Sequence, residues 1–114
     1  MASKHGVVGL TKVVALEAAG TGVTANTICP GWVMTPLVRA QIEARAKANH
    51  TSFDVEKVAL VAEKHPSQGF VRPSDIGKMA VFLCTEAGDQ ITGAQHSMDG
   101  ACLQCDVRYA LCDV

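Results

Sequence analysis

Apolar positions first recur at a helical interval. Val7, Leu10 and Val14 fall at i, i+3 and i+7, and the alanines among them leave a second face able to pack closely, which predicts a helix over 5–19. Gly20-Thr21-Gly22 stops it. The next stretch, 23–29, is short, rich in β-branched residues and without clean alternation. That pattern predicts a parallel strand covered on both faces, ended by Pro30-Gly31. Pro36 marks another turn, and Leu37, Val38, Gln41 and Ile42 predict a helix over 37–48. Residues 49–70 are ambiguous, with a helix expected over 54–64 on Val55, Val58, Ala59 and Ala62 before His65-Pro66 breaks it. Pro73 opens a better-signalled helix. Proline suits the first turn, Asp75 suits the positive end of the helix dipole, and Ile76, Met79, Ala80 and Leu83 form an apolar stripe. Residues 91–98 predict a second strand, ended by Asp99-Gly100.

Two strands separated by helices imply a parallel pair joined by a right-handed crossover, so the fold class is α/β. Two such strands make a poor free-standing core, because their edges and faces need more sheet. The expectation is part of a doubly wound parallel sheet, with apolar helix faces left exposed.

Composition narrows the function classes. The 114 residues suffice for one domain, 48% are hydrophobic and 18% charged, and the net charge is -1. The ten Lys and Arg residues form no run that would follow a phosphate backbone, which argues against nucleic acid as a partner. No stretch of about eighteen apolar residues suggests a membrane span, and the first ten residues do not read as a signal peptide. A cytoplasmic location is the expectation these absences leave. Cys29 and Cys84 lie in apolar surroundings and read as buried reduced thiols. Cys102, Cys105 and Cys112 lie at the end, but structural zinc takes four ligands and no suitably spaced His completes the set. An irregular tail is the preferred reading there, and no metal ligand is assigned. His5, His50, His65 and His96 are scattered, and each is expected in a structural or surface position.

The runs Ala2-Ser3-Lys4-His5-Gly6-Val7-Val8-Gly9-Leu10-Thr11 and Asn26-Thr27-Ile28-Cys29-Pro30-Gly31-Trp32-Val33-Met34-Thr35-Pro36 resemble the short-chain dehydrogenase/reductase family. More narrowly they are similar to its NAD-dependent (R)-3-hydroxybutyrate dehydrogenases. The likeness extends to about Gly100, with Ile91-Thr92-Gly93 and Met98-Asp99-Gly100 resembling the family's last strand and its end. The resemblance implies a Rossmann-like domain over 1–100, an off-pattern tail over 101–114, and hydride transfer between NAD and a small secondary alcohol. The family pairs a Tyr with a Lys four positions on, so that both emerge on one helical face. The Tyr exchanges a proton with the substrate oxygen; the Lys lowers the Tyr pKa and holds the nicotinamide ribose. Lys4 matches that Lys, and the Tyr would fall one residue before Met1. Tyr109 does not stand in for it on sequence grounds.

The resemblance also places Pro30, Gly31, Val33 and Thr35 along the nicotinamide, with the Val33 backbone and the Thr35 hydroxyl meeting the carboxamide. Gln41 would reach a substrate carboxylate, where a neutral amide donates to the anion without burying a second charge. Trp32, the sole tryptophan, reads equally as a wall of that pocket or as packing. The family's catalytic Ser, its glycine-rich pyrophosphate turn and the residue that selects NAD over NADP would lie outside this sequence. The first expectation is therefore a half-enzyme, inactive by itself on a small hydroxy acid or ketone. The second is a non-catalytic module that pairs with a full-length relative, since family subunits associate through the helix at 5–19 and the last strand. A metal-binding protein organised by the tail cysteines ranks third. Past Gly100 the pattern departs, with Ala101-Cys102 where the family has Gly-Trp.

Overall fold

The computed structural model describes residues 2–102. In chain order these form α1 (Ala2–Glu17), β1 (Thr27–Pro30), α2 (Pro36–Asn49), α3 (Phe53–Lys64), α4 (Pro73–Leu83), a short 3-10 turn (Glu86–Gly88) and β2 (Gln95–Met98). β1 and β2 pair in parallel, with Thr27 opposite Gln95 and Pro30 opposite Met98. This is the α/β arrangement expected from the apolar spacing. Cys105 and Cys112 lie outside the described residues.

Both strands are shorter than expected, and one side chain explains much of the difference. The Asn26 amide donates to the Ile91 carbonyl (2.6 Å) and its Oδ1 accepts from the Ala94 N–H (3.1 Å). The Thr92 hydroxyl accepts from the Ala25 N–H (3.1 Å), and the Gly93 N–H donates to the Ala25 carbonyl (2.7 Å). Residues 23–26 and 91–94 are thus stitched largely through side chains, where a regular ladder would use backbone alone.

The buried core sits mainly between α2 and α3. Ile42 and Ala46 of α2 and Leu60 and Val61 of α3 are buried, and Ile42 and Leu60 are almost fully withdrawn from water. Burying a side chain of that size contributes roughly 1.5–3 kcal/mol. α2 and α3 each start on a hydroxyl cap. Thr35 Oγ1 accepts from the Val38 N–H and Ser52 Oγ from the Val55 N–H, both at 3.3 Å. α2 ends on His50 in the left-handed conformation (φ 53°), its N–H turned back to the carbonyls of the last turn. α4 starts on Pro73, and Arg72 pairs with Asp75 through two hydrogen bonds of 2.6 and 3.0 Å.

α1 and α4 bury little. Ala15 alone of α1 is buried, α4 has no buried residue, and Val7, Leu10 and Val14 of the stripe all remain exposed. The periodicity located the helices correctly, but the described residues hold no second layer for their apolar faces. The thiols also differ from expectation. Cys29 is half-buried and Cys84 exposed, while Cys102 is the buried one.

Candidate functional site

The carboxyl end of β1 runs into Gly31–Thr35, and the amino-terminal turns of α1 lie alongside. A cavity of about 730 Å³ opens between them. Lys4, His5, Val7 and Val8 of α1 form one wall, and β1 with the loop from Gly31 to Thr35 forms another. Val38, His65, Gln95 and Cys102 complete the lining. The surface is mostly apolar, and among the described residues no carboxylate lines it. Such a pocket suits a flat, largely apolar ring attached to polar or anionic groups, which Lys4 can meet.

Residues 65–71 strap the loop down. Val71 and Val33 form an isolated parallel bridge, in which the Val71 N–H donates to the Trp32 carbonyl (2.9 Å) and the Met34 N–H to the Val71 carbonyl (3.4 Å). On the other side of the strap the Ser67 N–H donates to the Gly100 carbonyl (3.0 Å). His65 is the pivot. It is fully buried; its Nε2 accepts from the Trp32 N–H (2.8 Å), and its Nδ1 lies 2.8 Å from the Gly69 carbonyl. Its imidazole sits so close to Gly31 that any Cβ there would meet the ring nitrogen and lie 2.9 Å from Asp99 Cα. Glycine at 31 is therefore a requirement of close approach. The expectation that His65 lies at the surface is corrected: the chain folds it inward because both ring nitrogens find backbone partners there.

Of the residues the resemblance singled out, Lys4, Pro30, Gly31, Val33 and Thr35 all line this one cavity. Trp32 lines it as well, half-buried, so wall and packing turn out to be the same position. Gln41 is exposed on α2, outside the lining. Thr35 has two duties, since its hydroxyl caps α2 while its side chain faces the cavity. The Thr35 N–H turns back to the Val33 carbonyl (2.8 Å), and the Val33 N–H takes no partner among the described residues. A donor left open at the pocket wall can meet a ligand carbonyl. Sequence reasoning missed His65, Cys102 and Gln95 as lining residues; His65-Pro66 had read only as a helix breaker. His50 caps α2 at the surface, and His96 keeps a buried Nε2 with no hydrogen-bond partner among the described residues. No group of three or more potential metal ligands occurs among the described residues.

The ion pairs lie away from this cavity. Glu56 is 4% exposed and receives Arg45 Nε (3.1 Å), Asn49 Nδ2 (2.8 Å) and Thr51 Oγ1 (2.8 Å). The hydrogen bonds from Asn49 and then Thr51 hold its carboxyl below the usual range; Arg45 adds to this, while burial opposes it. Arg45 also pairs with Glu63 at 2.8 Å, tying α2 to α3.

A parallel α/β sheet with a pocket at the carboxyl end of a strand defines a class, the open-sheet proteins that bind ligands at that edge. Residues 1–101 match the family model described as enoyl-(acyl carrier protein) reductase, of the short-chain dehydrogenase type. The chain belongs to the short-chain dehydrogenase/reductase family. It is 57% identical over 100 residues to the D-beta-hydroxybutyrate dehydrogenase of Cupriavidus necator, covering 88% of this chain and 39% of that protein. It is 41% identical to the enzyme of the same name from Rhizobium meliloti, with the same coverage. A solved variant of actinorhodin polyketide ketoreductase with NADPH superposes with a TM-score of 0.74 at 35% identity, covering 89% of this chain and 38% of that one. The chain thus spans about two-fifths of the length of the curated relatives it matches. No helix among the described residues is long and apolar enough to cross a membrane.

Proposed function

We propose that this chain forms the nicotinamide- and substrate-facing side of an oxidoreductase that transfers hydride between NAD and a small secondary alcohol, with 3-hydroxybutyrate and acetoacetate as the pair. One observation carries the reading: Lys4 of α1 and Gly31, Val33 and Thr35 of a loop distant from it in sequence line a single apolar cavity at the carboxyl end of β1. The similarity to two hydroxybutyrate dehydrogenases supports the choice of substrate. Residues 1–100 serve as one part of a Rossmann-like domain, and 101–114 depart from the family pattern.

The nicotinamide, when bound, supplies the hydride acceptor. Lys4 is the catalytic residue: its ammonium holds the ribose hydroxyls and lowers the pKa of a proton-transferring tyrosine from outside these 114 residues. Pro30 and Gly31 shape the loop, and the Val33 N–H and the Thr35 hydroxyl meet the carboxamide. Gln41, exposed on α2, is the residue whose neutral amide would donate to the substrate carboxylate.

NADH titrated into the 114-residue chain is expected to quench Trp32, the sole tryptophan, and Lys4→Ala is expected to weaken that response about tenfold. No quenching at millimolar NADH would remove the nicotinamide reading. With (R)-3-hydroxybutyrate and NAD the chain alone should form no NADH, and measurable turnover would refute the need for an outside tyrosine.

A further inference from the structure

His65 belongs to no part of the chemistry above, yet it is the one imidazole fully buried against the site loop. Its partners decide its tautomer. The Trp32 N–H can only donate and the Gly69 carbonyl can only accept, so Nε2 carries the lone pair and Nδ1 the proton. Both nitrogens are thereby satisfied only in the neutral Nδ1–H form. The ring spans from the strap to the loop, and the consequences run through Trp32. Its N–H is held by His65 and its carbonyl by Val71, so the peptide units on either side of Trp32 are pinned within one residue of Val33. Gly31 leaves room for the ring, where any larger residue would displace it. A buried N–H deprived of its partner is costly, and a loop has no ladder to supply a substitute.

We propose that His65 is a positioning residue for the nicotinamide-contacting loop: its neutral ring, clamped between Gly69 and Trp32, fixes the Trp32–Val33 backbone so that the Val33 N–H stays presented to the cavity. This rests on the reading of the cavity as the nicotinamide site. Glutamine can reproduce the arrangement, accepting from Trp32 and donating to Gly69 through one amide, whereas leucine fills similar space with neither function.

Three measurements on the full chain test the assignment. Ring-nitrogen NMR of the ligand-free protein should show His65 protonated at Nδ1 and bare at Nε2, and the opposite tautomer would overturn the proposal. Hydrogen exchange should find the Trp32 amide protected in the wild type and in His65→Gln, but about tenfold or more faster in His65→Leu, with α2 and α3 amides unchanged. Unchanged protection of Trp32 in His65→Leu would refute the clamp. Should the leucine variant lose protection throughout, His65→Gln decides: protected Trp32 supports the clamp, and exposed Trp32 rejects it. NADH binding, read by Trp32 quenching, should weaken about tenfold in His65→Leu and stay within about twofold in His65→Gln. Equal binding by all three proteins would sink the positioning role. If the wild type itself binds no NADH, the nicotinamide reading fails, while the tautomer and exchange results still judge the clamp.

Discussion

Glu56 bridges two helices through three different donors, and none of that is visible in its place along the chain. Because its folded pKa is lowered, its carboxylate stabilises the fold above the ordinary carboxylate range, and that contribution is lost as the pH falls through the lowered value. Glu63, held down by Arg45, and Asp75, held down by Arg72, act in the same direction. Thermal unfolding followed against pH should therefore show Tm falling on acidification. Glu56→Gln should lower Tm at neutral pH and flatten the curve, and an unchanged curve would mean the bridge contributes nothing. Gly31 makes a second prediction at this scale. Gly31→Ala forces its Cβ into the His65 ring, and should cost about 1–3 kcal/mol in urea unfolding and weaken NADH quenching. Gly69→Ala is the control: its Cβ would meet only the Ser67 carbonyl at 3.9 Å, and its cost should stay within about 0.5 kcal/mol.

The helices were legible because their signals are local. Apolar spacing, Pro36 and Pro73 at first turns, and Asp75 near a start all act within one or two turns of chain. The strands were less so, because the Asn26 amide takes over bonds that a longer ladder would have made. Two caps allow stability to be separated from the site. Ser52→Ala should lose about 1 kcal/mol in urea unfolding without changing NADH binding, since Ser52 only caps α3. Thr35→Ala should lose a similar amount and weaken NADH binding as well, since Thr35 caps α2 and faces the cavity; Thr35→Ser should restore both. Equal NADH binding by the two alanine variants would show that the Thr35 hydroxyl serves the helix alone.

Across the whole molecule the apolar surface is unevenly placed. Leu10 is 62% and Leu16 78% exposed on α1, and Val81 and Phe82 are exposed on α4. Patches of this kind draw a partner surface. That observation favours a second reading, in which the chain pairs with a copy of itself or a longer relative through α1. Sedimentation velocity should show concentration-dependent association that Leu10→Lys with Leu16→Lys abolishes. A wild type that stays monomeric at all concentrations would remove the reading.

What the sequence by itself determined was the set of helices and strands, their α/β order and the family, and its contiguous motifs singled out Lys4 and the Pro30–Thr35 loop. Each depends on neighbours within a few residues, where periodicity and turn chemistry act. Only the tertiary structure decided that Lys4 and that loop face one cavity, that residues 65–71 strap the loop down, and that His65 lies buried in that strap. These follow from the approach of residues distant in sequence, such as Trp32 and His65. Such contacts depend on how strands and helices pack in space, which no local spacing encodes.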